Sequence, residues 1–145
     1  MSDFIIFFSS RGKQAKNVSI EILNHLGLSL DKLIDVSLIN CVDSLDFEHA
    51  IFVCPTYGDE ELEVSMERFI IELKTREVSV RTFSAIELGL YRGYDVTRMG
   101  AARLISGWLR HNGWVERAPS LSLDSVNNDF FMVLKNWLDK YYKND

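Results

Sequence analysis

Five consecutive apolar residues, Phe4 to Phe8 (FIIFF), run into the turn-forming stretch Ser9-Ser10-Arg11-Gly12. A run this short does not make a helix, and without alternation it has no polar face, so it reads as a central β-strand covered on both sides. Covering both faces of a sheet takes helices, and the next segment supplies one. Ala15, Val18, Ile22, Leu23 and Leu26 recur at helical spacing, and Gly27 follows as the stop.

The same alternation continues down the chain. Leu33 to Leu38 reads as a strand with one wetter face, because Asp35 and Ser37 alternate with Ile34, Val36 and Leu38. Ala50 to Cys54 (AIFVC) is another buried run and ends at Pro55; after the polar loop PTYGDEELEV, the stripe Met66, Phe69, Ile70 and Leu73 marks a helix beginning near Ser65. Thr82 to Leu88 is a fourth strand, and Gly89 to Arg98 a loop rich in Gly, Tyr and Arg. Met99, Leu104, Trp108 and Leu109 mark a helix ending near Asn112 and Gly113; Val115 to Leu121 is a fifth strand, set near an edge by Pro119. A last amphipathic helix carries Phe130, Val133, Leu134, Trp137, Leu138 and Tyr141. Five strands alternating with four helices define an α/β fold, a mainly parallel sheet with right-handed crossovers, in one domain over residues 1–145. Ligands of such sheets bind beyond the carboxyl ends of the strands. Three loops leave those ends: Ser9 to Gln14, Pro55 to Val64, and Gly89 to Arg98.

Charge and motifs narrow the chemistry. Sixteen Lys and Arg against 21 Asp and Glu give a net charge of −5, which argues against nucleic acid as a partner and leaves room for a basic protein. No apolar run approaches the ~18 residues of a membrane span, and no basic region precedes the apolar stretch in MSDFIIFFSSRGK, so the expected location is the cytoplasm, away from membranes. Cys41 and Cys54 show neither CxxC nor Cys/His ligand spacing; they are expected as reduced thiols, with no metal site. His25, His49 and His111 are dispersed, and no Ser/His/Asp set, Walker loop or GxGxxG is present, so no catalytic residue is assigned.

The stretches FFSSRGKQAKN, CPTYGDEELEVSMERFIIEL and AIELGLYRGYDVTRMGAARLISGWLRHNGW stand in the order and rough spacing of the three FMN-binding loops of flavodoxins. The chain resembles a short-chain flavodoxin over nearly all of its length. The resemblance implies a three-layer sandwich with a five-stranded parallel sheet of order 2-1-3-4-5 and FMN as cofactor. In the middle loop, Pro55-Thr56-Tyr57-Gly58-Asp59, it implies that Tyr57 packs on the isoalloxazine and that the Gly58 carbonyl can turn toward flavin N5. Gly tolerates the φ > 0 backbone that such a peptide flip needs, and a hydrogen bond from N5–H to that carbonyl favours one-electron steps.

The first loop resembles the family's phosphate-binding Thr/Ser-x-Thr-Gly-x-Thr. Ser9 and Gly12 match and Ser10 adds a hydroxyl, while Arg11 and Gln14 stand at two threonine positions, with Lys13 between Gly12 and Gln14. Arg11 either supplies a bidentate donor to the phosphate or points into water. In the third loop, Gly89-Leu90-Tyr91-Arg92-Gly93-Tyr94-Asp95, the family's acid is Leu90 and the stacking ring is Tyr91 or Tyr94. Tyr94-Asp95 fits better against Gly100-Ala101, which resembles the family's opening of the next helix. Glu87 stands beneath this loop at a position that is usually small. The cluster Asp59, Glu60, Glu61, Glu63 and Glu67 is either a solvated helix entry or a docking surface for a basic redox partner. The expected function is thus one-electron transfer by a monomeric flavoprotein between a reductase and acceptor proteins, without a substrate of its own. Two other readings stand beside it: a regulatory or protein-binding domain of the same fold that has lost FMN, and a relative of the flavodoxin-like activator of ribonucleotide reductase.

Overall fold

Phe4–Phe8 forms the first strand, β1, and all five of its residues are buried. The computed structural model describes residues 4–9, 13–39, 47–57, 61–75, 81–89, 100–124 and 129–142. After β1 come α1 (Lys13–Leu26), β2 (Leu33–Asp35), β3 (His49–Tyr57), β4 (Glu61–Leu62) and α2 (Val64–Thr75). The chain continues through β5 (Thr82–Gly89), α3 (Ala101–His111), β6 (Val115–Glu116), β7 (Leu121–Asp124) and α4 (Phe130–Tyr141). Gly27 (φ +69°) and Gly113 (φ +89°) stop α1 and α3 in the left-handed conformation that glycine adopts without strain.

The sheet runs β2-β1-β3-β5-β6, with β7 also on β5, and all of these pairs are parallel. Counting β6 and β7 as one interrupted strand, this is the expected order 2-1-3-4-5. β1 lies inside the sheet, although its middle is β3. Alternation along β1 feeds two cores. Ile5 and Phe7 pack with Phe52, Phe83 and the inner faces of α2 and α3, whereas Phe4, Ile6 and Phe8 pack with Val18, Ile22, Leu134 and Leu138 of α1 and α4. Successive strand side chains point to opposite faces, so a run apolar at every position requires cover on both.

Three strand boundaries depart from the sequence pattern. β2 ends at Asp35, whose carboxylate accepts from Ser37 N at 3.0 Å and Ser37 Oγ at 2.7 Å; this turn bends Val36–Leu38 into a single 3-10 turn instead of continuing the strand to Leu38. Part of the loop after Cys54 is strand: β3 runs on to Tyr57, and Thr56 and Tyr57 pair antiparallel with Leu62 and Glu61 of β4. The last strand is broken. Between the pairs Phe83–Glu116 and Ile86–Leu121, four residues (117–120) stand opposite two (84–85), where Pro119 has no N–H to give the ladder. The Pro119 carbonyl instead accepts from Trp137 Nε1 at 3.0 Å, fastening the bulge to α4.

At the amino end of the sheet His49, one of the three dispersed histidines, is buried. Its ring nitrogens lie 2.7 Å from Thr82 Oγ1 and 2.7 Å from the Tyr142 hydroxyl, which also bonds Ser84. Burial, with the Arg117 charge adding to it, lowers the His49 pKa from 6.5 to about 3. The folded protein therefore holds a neutral ring while the unfolded chain takes up a proton near the ordinary histidine value, so stability falls as the pH drops from about 6.5 toward 3. Urea unfolding across this window is expected to show that slope in the wild type, and a flatter slope in His49→Gln.

Candidate functional site

The carboxyl ends of β1, β3 and β5 lie at one end of the sheet, and α1, α2 and α3 each begin there. A helix N-terminus carries unpaired N–H groups and a partial positive charge, so three anion-attracting termini converge on this end. The chain fills two of them itself. Glu63, just ahead of α2, accepts from Ser65 N at 2.8 Å and Met66 N at 3.3 Å, the bonding of an N-cap. Glu87, on β5, accepts from Ala102 N at 3.0 Å in the first turn of α3 and from Ser122 Oγ of β7 at 2.6 Å. The first turn of α1 holds Lys13 and Gln14, both exposed, and no acid.

Ser9, the residue after β1, is fully buried; its N–H reaches the Val53 carbonyl at 3.1 Å and its hydroxyl donates to Glu63. A hydroxyl has one proton, so while that bond stands Ser9 has none to give a phosphate, contrary to the role the resemblance implies. Burial works to raise the Glu63 pKa, but the hydroxyls of Ser65 and Ser9 and the amides of Ser65 and Met66 outweigh it, and the net direction is down. Glu63 is thereby a correction to the acidic cluster: it is an internal cap and belongs to neither a solvated face nor a docking surface. Glu67, one turn on, is exposed. Opposite Glu87 in the β3–β5 register is Cys54, a fully buried free thiol whose pKa is pushed up by burial and further by the charges of Glu87 and Glu63.

Of the other expected site residues, Pro55 is half-buried near the end of β3, Thr56 and Tyr57 lie on its last two positions, and Gly89 ends β5. Ser10, Arg11, Gly12, Gly58, Asp59, Leu90, Tyr91, Tyr94 and Asp95 lie outside the described residues, as does Cys41. Sequence reasoning missed the capping roles of Glu63 and Glu87. The first had a local signal, an acid immediately before an apolar helical stripe; the second had only its incongruity in an apolar strand. Among the described residues no helix is long and apolar enough to cross a membrane, and no group of three His, Cys, Asp or Glu is placed to hold a metal ion.

No protein-family model matches the sequence. Over 88 residues, 57% of this chain, it is 33% identical to the anthranilate phosphoribosyltransferase of Bacillus pumilus, of whose length the match spans 25%. Solved structures match the chain nearly end to end. An oxidised flavodoxin of Bacillus cereus superposes with a TM-score of 0.76 at 13% identity, covering 99% of each chain. The chain has the flavodoxin fold. A Fusobacterium nucleatum flavodoxin bound to flavin mononucleotide gives 0.75 at 15% identity, covering 97% of this chain and 96% of that one. A Streptococcus pneumoniae flavodoxin gives 0.74 at 20% identity over 95% of each. Within the flavodoxin fold, the observed cap makes Glu63 a link between the first strand and the second helix. Glu63→Ala removes the cap and leaves the buried Ser9 hydroxyl without its acceptor, an expected cost of about 1–3 kcal/mol in urea unfolding near neutral pH. Because the pKa is lowered, this stabilisation is present above about 4.5 and lost as the pH falls below it, so the two proteins converge in acid.

Proposed function

We propose that this chain is a single-domain, FMN-binding electron carrier. The observation that supports it best is the start of α1: among the described residues its first turn holds no acid, whereas Glu63 and Glu87 accept from the amides of the helices that follow β3 and β5, and it carries Lys13 and Gln14. A phosphate monoester suits that position by charge and by hydrogen bonding. In this reading the backbone amides of Ser10 to Gln14 and the Arg11 guanidinium hold the phosphate. Pro55, Thr56, Tyr57, Gly58 and Asp59 lie along one side of the ring and Gly89, Leu90, Tyr91, Tyr94 and Asp95 along the other. FMN supplies the one-electron chemistry; the chain's residues bind it, orient it and keep water from one face. The FMN-bound flavodoxin among the structural neighbours agrees with this reading.

A second reading, a domain of the same fold without FMN, is favoured by the Ser9–Glu63 bond, which withdraws one expected phosphate donor. FMN titration followed by flavin fluorescence separates the two. Saturable quenching is expected, and Arg11→Ala is expected to weaken FMN more than riboflavin, which has no phosphate, with the difference shrinking at high salt. Protein that ignores FMN supports the second reading, and equal losses for FMN and riboflavin remove Arg11 from the phosphate.

Carrier function calls for a transient partner, and a chain of net charge −5 suits a basic one. The acidic residues proposed to steer it are Asp59, Glu60, Glu61 and the exposed Glu67, without the internal Glu63. The proposed working state is a cytoplasmic monomer. Exposed charges act chiefly on the rate of encounter, so reversing Glu60 and Glu67 to Lys is expected to slow electron exchange with a basic partner at low salt and flatten its salt dependence, with FMN still bound. Stopped-flow exchange rates against ionic strength provide the check.

A further inference from the structure

We propose that a polar cleft on the flank of the sheet, between α3 and the broken last strand, binds a phosphate ester of a small polyhydroxylated compound, a sugar phosphate by class. The cleft has a volume of about 380 Å³; Arg103, Gly107 and Arg110 of α3 form one wall, and Glu116, Ser120 and Ser122 form the other. That size falls within the ~300–1,000 Å³ of small-molecule sites. Glu116 pairs with Phe83 near the amino end of β5 and Ser122 with Glu87 near its carboxyl end. The cleft therefore runs along the sheet, and its binding role does not depend on the FMN reading.

The bulge in the last strand opens it. Arg117 Nε donates to the Tyr141 carbonyl at 3.1 Å, Ala118 is buried in the core shared by α1 and α4, and the Pro119 carbonyl holds Trp137. These contacts draw residues 117–120 toward α4, on the face of the sheet opposite α3, and α3 is left facing the cleft. Gly107 keeps that space open. It stands four residues after Arg103 and three before Arg110, on the same face of the helix. A Cβ there would meet no atom within 4 Å, so packing does not call for the glycine, although glycine weakens a helix interior relative to alanine.

The lining has donors in need of an acceptor. Arg103 and Arg110 are exposed, and among the described residues neither makes an ion pair or a hydrogen bond. Two carboxylates line the same cleft, but the chain's own donors already engage them: Glu116 accepts from Ser106, and Glu87 from the Ala102 amide and Ser122. The arginines lie about 10 Å apart along the helix at ~1.5 Å per residue, near enough for their long side chains to converge on one anion. Guanidinium groups match phosphate oxygens bidentately. A bare anion would also meet the Glu116 charge. Hydroxyls beside the phosphate make Glu116 a partner instead, since a carboxylate offers about four acceptor sites, and the exposed Ser120 hydroxyl can donate or accept.

The test is a titration with ribose 5-phosphate followed in amide NMR spectra, with and without added FMN. Saturable shifts are expected for residues 103–110 and 116–122, at the same affinity in both series, with ribose and inorganic phosphate each binding about tenfold more weakly or worse. Arg103→Gln and Arg110→Gln are each expected to weaken ribose 5-phosphate about tenfold, the scale of a lost hydrogen bond to a charged group. Glu116→Ala is expected to narrow the preference for ribose 5-phosphate over inorganic phosphate. Gly107→Leu is expected to abolish binding without lowering the urea midpoint, because its side chain enters open space. Absence of saturable shifts, displacement of the probe by FMN, or unchanged affinity in both arginine variants overturns the site. Equal affinity for inorganic phosphate overturns the assignment to a phosphate ester.

Discussion

Burial of the sheet on both faces is the constraint from which the rest of this protein follows. β1, most of β3 and most of β5 present apolar side chains to two cores, so these strands have both faces taken up by packing. On one side the rings of Phe7, Phe52, Phe69, Phe83 and Trp114 pack with neighbouring centroids 4.6–6.5 Å apart. The other side is mostly aliphatic, closed near the sheet's amino end by Trp137 and Tyr142. Parallel order gathers the carboxyl ends of these strands, β1, β3 and β5, at one end of the sheet.

Several of the buried polar side chains join elements far apart in the sequence. Ser9 and Glu63 tie the end of β1 to the start of α2; Glu87 ties β5 to both β7 and α3; His49, Tyr142 and Ser84 tie the chain beyond α4 to the opposite end of the sheet. A buried polar group without partners costs stability, so each such group constrains the geometry of whatever satisfies it. At the carboxyl end these links have an electrical consequence. Two helix termini are met by carboxylates from within the chain, whereas among the described residues the first turn of α1 holds no acid.

The elements were legible in the sequence to within a few residues wherever apolar periodicity was strong, as in β1, α1, α2 and α4, because burial is what periodicity records. It failed where a side chain competed with the ladder. Asp35 turned the backbone after three residues of β2, and Pro119 forced four residues of the last strand against two of its neighbour. Periodicity could not expose either, since the apolar pattern runs on through both breaks. His49 illustrates a different gap: its partners Thr82 and Tyr142 lie 33 and 93 residues away, and a histidine at a strand entry looks the same whether water or a tyrosine awaits it.

The sequence by itself determined the layers, the strand order through its likeness to a known family, and the three loops that bound the candidate site. These are consequences of local composition, for a residue that is apolar must be covered whatever covers it. Only the tertiary structure decided which of the acidic residues around the site are surface charges and which are internal caps. Glu63 and Glu67 stand four residues apart in one acidic stretch, yet one is buried against Ser9 and the other faces water. That difference arises because hydrogen-bond partners for a buried carboxylate come from distant strands and helix termini, and their positions exist only once the sheet has brought them together.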